Sequence, residues 1–320
     1  MQILITGATG LVGSEIVRFC HKQNIDVNYL TTNKRKIISE GNYKGFYWNP
    51  DSGEIDLNCF KGVSAIINLA GASISKRWTP KYKKIVLSSR INTLRTLKKG
   101  LEEIDSTKIT SFVSASAIGI YPNSLTNFYT EDEKSVDDSF LGEVVESWER
   151  EADTLKNFQF NVAKIRIGLV MSVNGGALPE ITKPIKYYAG AAFGSGMQWQ
   201  SWIHIEDLAR QFLFVVENKL KGTYNGVGPN PVNNSKLVKE IARVLKRPLF
   251  LPNIPKFAMK VILGEMSYIL FASQRVSSKK IEEEGFVFNH PNLGLAIEKI
   301  YSKEPKEEKF TSVNRSEFVS

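Results

Sequence analysis

The chain has little cysteine and little histidine. Its two cysteines, Cys20 and Cys59, allow one bridge and no framework, which excludes a disulfide scaffold and suits a reducing compartment with free thiols. Its three histidines, His21, His204 and His290, show no H-x-x-x-H spacing that would set two imidazoles on one helix face, so no metal site is expected. No apolar run approaches the roughly 18 residues needed to span a bilayer. Met1 leads directly into an apolar strand pattern without a basic leader segment, so the chain reads as soluble and cytoplasmic, with no membrane partner. Acid is missing from one stretch altogether. Between Lys76 and Lys99 lie nine cations and no Asp or Glu, which accounts for the whole formal charge of +9. A basic surface of this kind raises anionic ligands and nucleic acid as partners. Nucleic acid would need aromatics interleaved with the cations, and only Trp78 and Tyr82 qualify, so a small-molecule substrate is expected instead, with a homodimer as an option.

With 320 residues the chain has room for about two structural units and a sizeable core. Short apolar, β-branched runs at Gln2 to Thr6, Asp26 to Leu30, Ala65 to Leu69, Ser111 to Ser116 and Asn161 to Ile167 alternate with helical patterns at Leu11 to Lys22, Pro80 to Leu101 and Phe140 to Asn157. This alternation predicts an α/β fold, a doubly wound parallel sheet of the Rossmann type over residues 1–170. Beyond Ile167 glycine-rich loops and helices near Ile205 to Asn218, Ser235 to Leu245 and Leu293 to Tyr301 predict a smaller lobe over residues 171–301 on the substrate side, with segments near 200–230 returning to the sheet. The polar tail over 302–320 is expected to be disordered.

The first strand runs into Thr6-Gly7-Ala8-Thr9-Gly10-Leu11-Val12-Gly13 and then a helix. Glycines at 7, 10 and 13 permit a tight turn, close approach of backbone to a pyrophosphate and close packing of helix on strand; the free amides of the helix start receive the phosphates. Gly7, Thr9, Gly10, Leu11, Val12 and Gly13 are therefore candidate dinucleotide-binding residues. The end of the second strand selects the cofactor. It reads Leu30-Thr31-Thr32-Asn33-Lys34-Arg35-Lys36, with no carboxylate to accept from a ribose 2′-OH and with hydroxyls and cations suited to a 2′-phosphate, so NADP(H) is expected, held by Thr31, Thr32, Lys34 and Arg35.

Several further motifs follow in order: Asn68-Leu69-Ala70-Gly71, Arg77-Trp78-Thr79, Ser89-Arg90, Ser114-Ala115-Ser116-Ala117, Gly194-Ser195-Gly196, Trp202-Ile203-His204-Ile205-Glu206-Asp207 and Gly264-Glu265. In register, from Met1 to about Ile300, they are similar to the YfcH-like epimerase family within the extended short-chain dehydrogenase/reductases. The resemblance implies a Rossmann core, NADP(H) and a small carboxy-terminal lobe. It places Leu69, Ala70, Gly71 and Val170 beside the cofactor, turns Arg90 toward it and assigns Ser116 to the reacting oxygen of the substrate. His204 and Asp207 are read as scaffold; Trp78, Trp199 and Trp202 are candidate pocket walls.

The superfamily's Tyr-x-x-x-Lys pair is missing. Phe140 and Val144 stand at its two positions, and neither carries a proton. Tyr121 is the candidate replacement acid, with loop anchoring as the competing role; Glu143 and Glu146 are assigned to a solvent face. The expected function is an oxidoreductase or nucleotide-sugar-epimerase-like activity on an unidentified small hydroxy or carbonyl substrate. The alternative is a catalytically inactive NADP(H)-binding sensor or interaction protein.

Overall fold

A computed structural model describes residues 1–302; the tail expected to be disordered lies, from residue 303, outside the described residues. Seven strands run in parallel: β1 (Gln2–Thr6), β2 (Asp26–Thr31), β3 (Tyr43–Asn49), β4 (Ala65–Asn68), β5 (Ser111–Ala117), β6 (Asn161–Ile167) and β7 (Gly222–Gly226). Their spatial order is β3-β2-β1-β4-β5-β6-β7, and the short antiparallel strands Ser39–Glu40 and Glu54–Ile55 on β3 complete a nine-stranded sheet. The chain order reverses at β1, so a crevice opens between the carboxyl ends of β1 and β4.

The helices are α1 (Leu11–Lys22), α2 (Pro80–Glu102), α3 (Phe140–Asp153), α4 (Ala177–Lys186), α5 (Ile205–Glu217), α6 (Asn234–Val244), α7 (Lys256–Leu263), α8 (Tyr268–Phe271), α9 (Lys279–Glu283) and α10 (Leu293–Ser302). The sheet core is apolar on both faces. Ile3, Ile5, Ile66, Val113 and Ile165 are buried in it together with Ile16 of α1, Leu94 and Leu97 of α2 and Phe212 of α5. Cys20 and Cys59 are buried there as free thiols, and burial pushes the Cys20 thiol up to about 12 and that of Cys59 further still. A second core joins Met171, Leu178, Ile185, Trp202, Leu237, Ile241 and Ile297 and holds α4, α6 and α10 together.

Two strands depart from the sequence reading. β3 is not among the strands expected from the sequence, and Gly45 interrupts its apolar pattern. Its glycine is required by packing: a Cβ there would lie 2.5 Å from the Tyr29 ring of β2. β6 was expected to be nearly all apolar but carries Lys164 and Arg166, both buried on one face of the strand at a spacing of two.

Candidate active site

The glycine turn closes tightly. Gly7 takes φ +70°, and a Cβ on it would sit 3.1 Å from the Leu69 carbonyl carbon, so the turn lies directly against the end of β4. At Gly13 a Cβ would be 2.2 Å from the Gly7 oxygen, which leaves hydrogen as the only substituent. Gly10 N–H donates to Gly7 O at 2.9 Å, and Gly10 caps α1, whose first turn holds no acid. The amides of Leu11, Val12 and Gly13 have no partner a turn earlier in the helix, and the positive end of its dipole points into the crevice. Thr9 is exposed at the mouth of the turn.

Thr6, at the end of β1, ties this turn to its neighbour. Its Oγ1 donates to Asn68 Oδ1 at 2.7 Å and accepts from the amides of Leu69 and Ala70 at 3.0 and 3.1 Å. Thr6 and Asn68 fall within quoted motifs but were given no role from the sequence; a Thr and an Asn ending adjacent apolar strands are the signal that was there to read. The loop Gly175-Gly176 closes over the other side, where a Cβ on Gly176 would meet Leu11 Cδ2 at 3.2 Å and Val170 O at 3.4 Å. Leu11 and Val170 thus border one rim.

Thr31 ends β2 one residue beyond the Leu30 that pairs with Thr6. Thr32, Lys34 and Arg35 follow on the surface, with Asn33 capping the turn through its side chain to Arg35 N–H at 3.0 Å. Lys34 Nζ stands 4.6 Å from the Tyr47 ring centroid, which holds one cation beside the strand end. Arg90 packs against Gly71, where a Cβ would fall 3.2 Å from Arg90 Cγ, and its guanidinium lies 5.1 Å from the Trp148 ring centroid. Its Nη1 donates to Ala72 O and Val86 O. No ion pair to Arg90 occurs among the described residues, and burial lowers its pKa to about 10. A desolvated cation without a carboxylate, beside the Leu69–Gly71 turn, is complementary to an anionic ligand.

The two candidate catalytic residues belong to one buried polar network. Ser116, the last residue but one of β5, donates its hydroxyl to Glu149 Oε1 at 2.6 Å. Arg166 grips both oxygens of the same carboxylate at 2.8 and 3.0 Å, and Lys164 lies 3.4 Å away. Burial by itself would raise the Glu149 pKa, but the Arg166 bonds and charge, then Lys164 and Ser116, hold it below the usual carboxylate range. Arg166 Nη1 also donates to the Tyr121 hydroxyl, which in turn donates to Asn225 Oδ1 at 2.7 Å. Tyr121 is fully enclosed, stacked on Tyr129 at 5.2 Å, and burial pushes its pKa up to about 12. Tyr121 was expected to pass a proton at the nicotinamide, with loop anchoring as the competing role; its hydroxyl is enclosed between an arginine and an asparagine, the arrangement that anchoring calls for.

Phe140 and Val144 do lie on α3. Val144 is buried, and Phe140 meets Trp78 edge-on at 5.1 Å with Lys83 Nζ 5.0 Å from its ring centroid. Glu143 and Glu146 are exposed on that helix, along a cavity of about 510 Å³ shared with Lys83, Lys84 and Asp137. The larger of these cavities, about 820 Å³ between α6 and α10, is lined by none of the candidate residues. Trp202 is no pocket wall. It is wholly buried, its Nε1 donating to Asn230 O, and Trp78 is likewise buried with its Nε1 on Ile74 O.

His204 and Asp207 serve the scaffold as read. His204 Nδ1 caps α5 at Glu206 N–H, and the Asp207 carboxylate receives the amides of Asn289 and His290. Folding also assembles what linear spacing did not show: His204, Glu206 and His290 bring possible ligand atoms within 4.8 Å of one another. Lys299 Nζ already stands 3.3 Å from Glu206 Oε2 and 3.2 Å from His290 Nε2, so the cation at this cluster is the chain's own.

Comparison with known proteins places this geometry. The chain is 36% identical over 302 residues to an epimerase family protein of Staphylococcus haemolyticus, covering 93% of this chain and 98% of that one. An epimerase family protein of Staphylococcus aureus is 37% identical over 303 residues, covering 94% and 99%. The chain belongs to the epimerase family. Residues 3–142 match the NAD dependent epimerase/dehydratase family, and residues 254–300 match a domain of unknown function (DUF1731). Among solved structures, the human epimerase family protein SDR39U1 with NADPH superposes with a TM-score of 0.83 at 26% identity, covering 95% of this chain and 100% of that one. The nucleoside-diphosphate sugar epimerase from Corynebacterium glutamicum gives 0.73 at 26% identity, covering 93% and 57%. The Rossmann-type fold and the epimerase-family kinship read from the sequence are thereby established.

Proposed function

We propose that this epimerase-family chain is an NADP(H)-dependent oxidoreductase or epimerase-like enzyme acting on a small hydroxy or carbonyl compound. One observation carries the reading: the closed glycine turn at the start of α1 stands beside a strand end, Thr31 to Lys36, that holds cations and no acid. The fit extends around the crevice. Amides of Leu11, Val12 and Gly13 would take the pyrophosphate, Thr31, Thr32, Lys34 and Arg35 the 2′-phosphate, and the Leu69–Gly71 backbone with Val170 would flank the rest of the dinucleotide. Arg90 adds a desolvated positive charge on the same side. The human relative solved with NADPH supports the choice of cofactor.

The cofactor, when bound, supplies or accepts hydride. Ser116 does the work on the substrate oxygen. Because its own proton is committed to the ionised Glu149, its oxygen is left as an acceptor, and it would hold a substrate hydroxyl by its proton. A second reading, a binding protein without turnover, is favoured by Phe140 and Val144, which offer no proton at the superfamily's two positions.

Thermal unfolding tests the cofactor assignment. At a hundredfold excess over Kd, NADPH is expected to stabilise the native chain by about 2.7 kcal/mol, with NADH well behind. Charge reversal in Lys34→Glu/Arg35→Glu should erase the difference; equal shifts by the two cofactors in the unsubstituted chain would overturn NADP(H). Oxidation of NADPH that depends on an added carbonyl compound, and that falls in Ser116→Ala with the NADPH shift intact, separates the enzyme from the binding protein.

A further inference from the structure

Helix α7 differs from every other described helix of eight or more residues in burying none of its side chains. Its sequence is Lys256-Phe257-Ala258-Met259-Lys260-Val261-Ile262-Leu263, apolar at every position but two. Phe257 is 73% exposed, Val261 78% and Ile262 64%. Phe250 and Leu251, just before the helix, are exposed too. An apolar surface left this open marks a contact that the chain does not make with itself.

The charge around it identifies the kind of surface that fits. From Leu245 to Gly264 the chain holds Lys246, Arg247, Lys256 and Lys260 and no acid. The residues that follow α7 seat its end against the acid-free start of α2: a Cβ on Gly264 would lie 4.0 Å from the Arg77 guanidinium, and Glu265 is paired with Lys83. Lys76, Arg77 and Lys81 are exposed beside the Lys83–Glu265 pair's end of α2. The nine-cation stretch and the open apolar helix are therefore neighbours in the fold, although far apart in sequence.

We infer that α7 and the start of α2 together form a docking face for an anionic lipid bilayer, with Phe257, Val261 and Ile262 entering the headgroup boundary and Lys256, Lys260, Arg77 and Lys81 meeting lipid phosphates. Apolar residues flanked by lysine are the composition of interfacial helices, and short juxtamembrane cation clusters are drawn to anionic leaflets. A second copy fits less well. An isologous contact would set the same patch against itself, opposing Lys256 and Lys260 to their own equivalents without an acid to receive them. The face departs from the sequence expectation of no membrane partner. It requires no spanning segment, and among the described residues no helix is long and apolar enough to cross a membrane.

Sedimentation of the full chain with lipid vesicles tests the inference. Vesicles containing phosphatidylglycerol should bind it at least about tenfold better than vesicles of phosphatidylcholine alone, and raised salt should weaken that binding. Phe257→Asp/Val261→Asp and, separately, Lys256→Glu/Lys260→Glu should each lose about tenfold or more, with unchanged melting temperatures; the milder Phe257→Ser should lose part. Binding to neither vesicle, equal binding to both, or binding untouched by these variants would overturn the proposal. So would a dimer, seen by light scattering, that Phe257→Asp/Val261→Asp separates, since the face would then belong to a second copy.

Discussion

Ser116 and Glu149 share a hydrogen bond of 2.6 Å that joins the carboxyl end of β5 to the middle of α3. The same carboxylate receives both Nε and Nη2 of Arg166, so Glu149 balances the buried arginine, while Asp153 Oδ1 at 2.9 Å is the nearer partner of Lys164. Burying Arg166 is tolerable only while the Glu149 carboxylate is present.

Glu149→Gln should therefore destabilise the chain by about 3–5 kcal/mol, the range for removing one member of a buried ion pair. Urea unfolding measures it. A loss under 1 kcal/mol would mean that water or Asp153, already 2.9 Å from Lys164, takes over.

Acid should strip the same contribution from the unsubstituted chain. The folded-state pKa of Glu149 is depressed below its unfolded value of about 4.3, so its stabilisation is fully present above that pH and is lost as pH falls from there through the folded value. Asp153, also held low, adds to the same window. Stability measured between pH 7 and pH 3 should fall less steeply below about pH 4.3 in Glu149→Gln than in the unsubstituted chain.

Tyr121→Phe should cost about 1–3 kcal/mol, because Arg166 Nη1 and Asn225 Oδ1 each lose a buried partner. The NADPH-dependent thermal shift and any carbonyl-dependent turnover per folded molecule should be retained. A variant of normal stability without turnover would return Tyr121 to the reaction.

Much of the fold is local and was legible. β1, α1 and β6 begin and end where apolar periodicity places them, and the turn between β1 and α1 carries its glycines because Gly13 must meet the Gly7 oxygen at a distance no side chain permits. What escaped the reading depends on pairings across long sequence separations. Gly45 is intelligible only once Tyr29 lies over it. Glu149 sits four residues after Val145 and three before Ala152, on the apolar stripe of α3, and Lys164 and Arg166 share one face of β6; a charge on each buried face is the trace that an ion pair leaves in sequence. Tyr121 looked available because it follows a strand end, and only the fold shows Arg166 and Asn225 around its hydroxyl.

The return of the chain to the sheet at β7 has a mechanical meaning. Residues leave the sheet after Ile167 and rejoin it at Gly222, and the strands on either side of this excursion lie next to each other, with Gly168 N–H on Gly226 O at 3.0 Å and Gly228 N–H on Trp202 O at 2.6 Å. Cutting the chain at residue 170 would strip an edge strand and α5 from the sheet. The excursion therefore leaves and re-enters the sheet at neighbouring points, where Gly168 and Gly226 pass each other, with α5 packed back on the sheet between them.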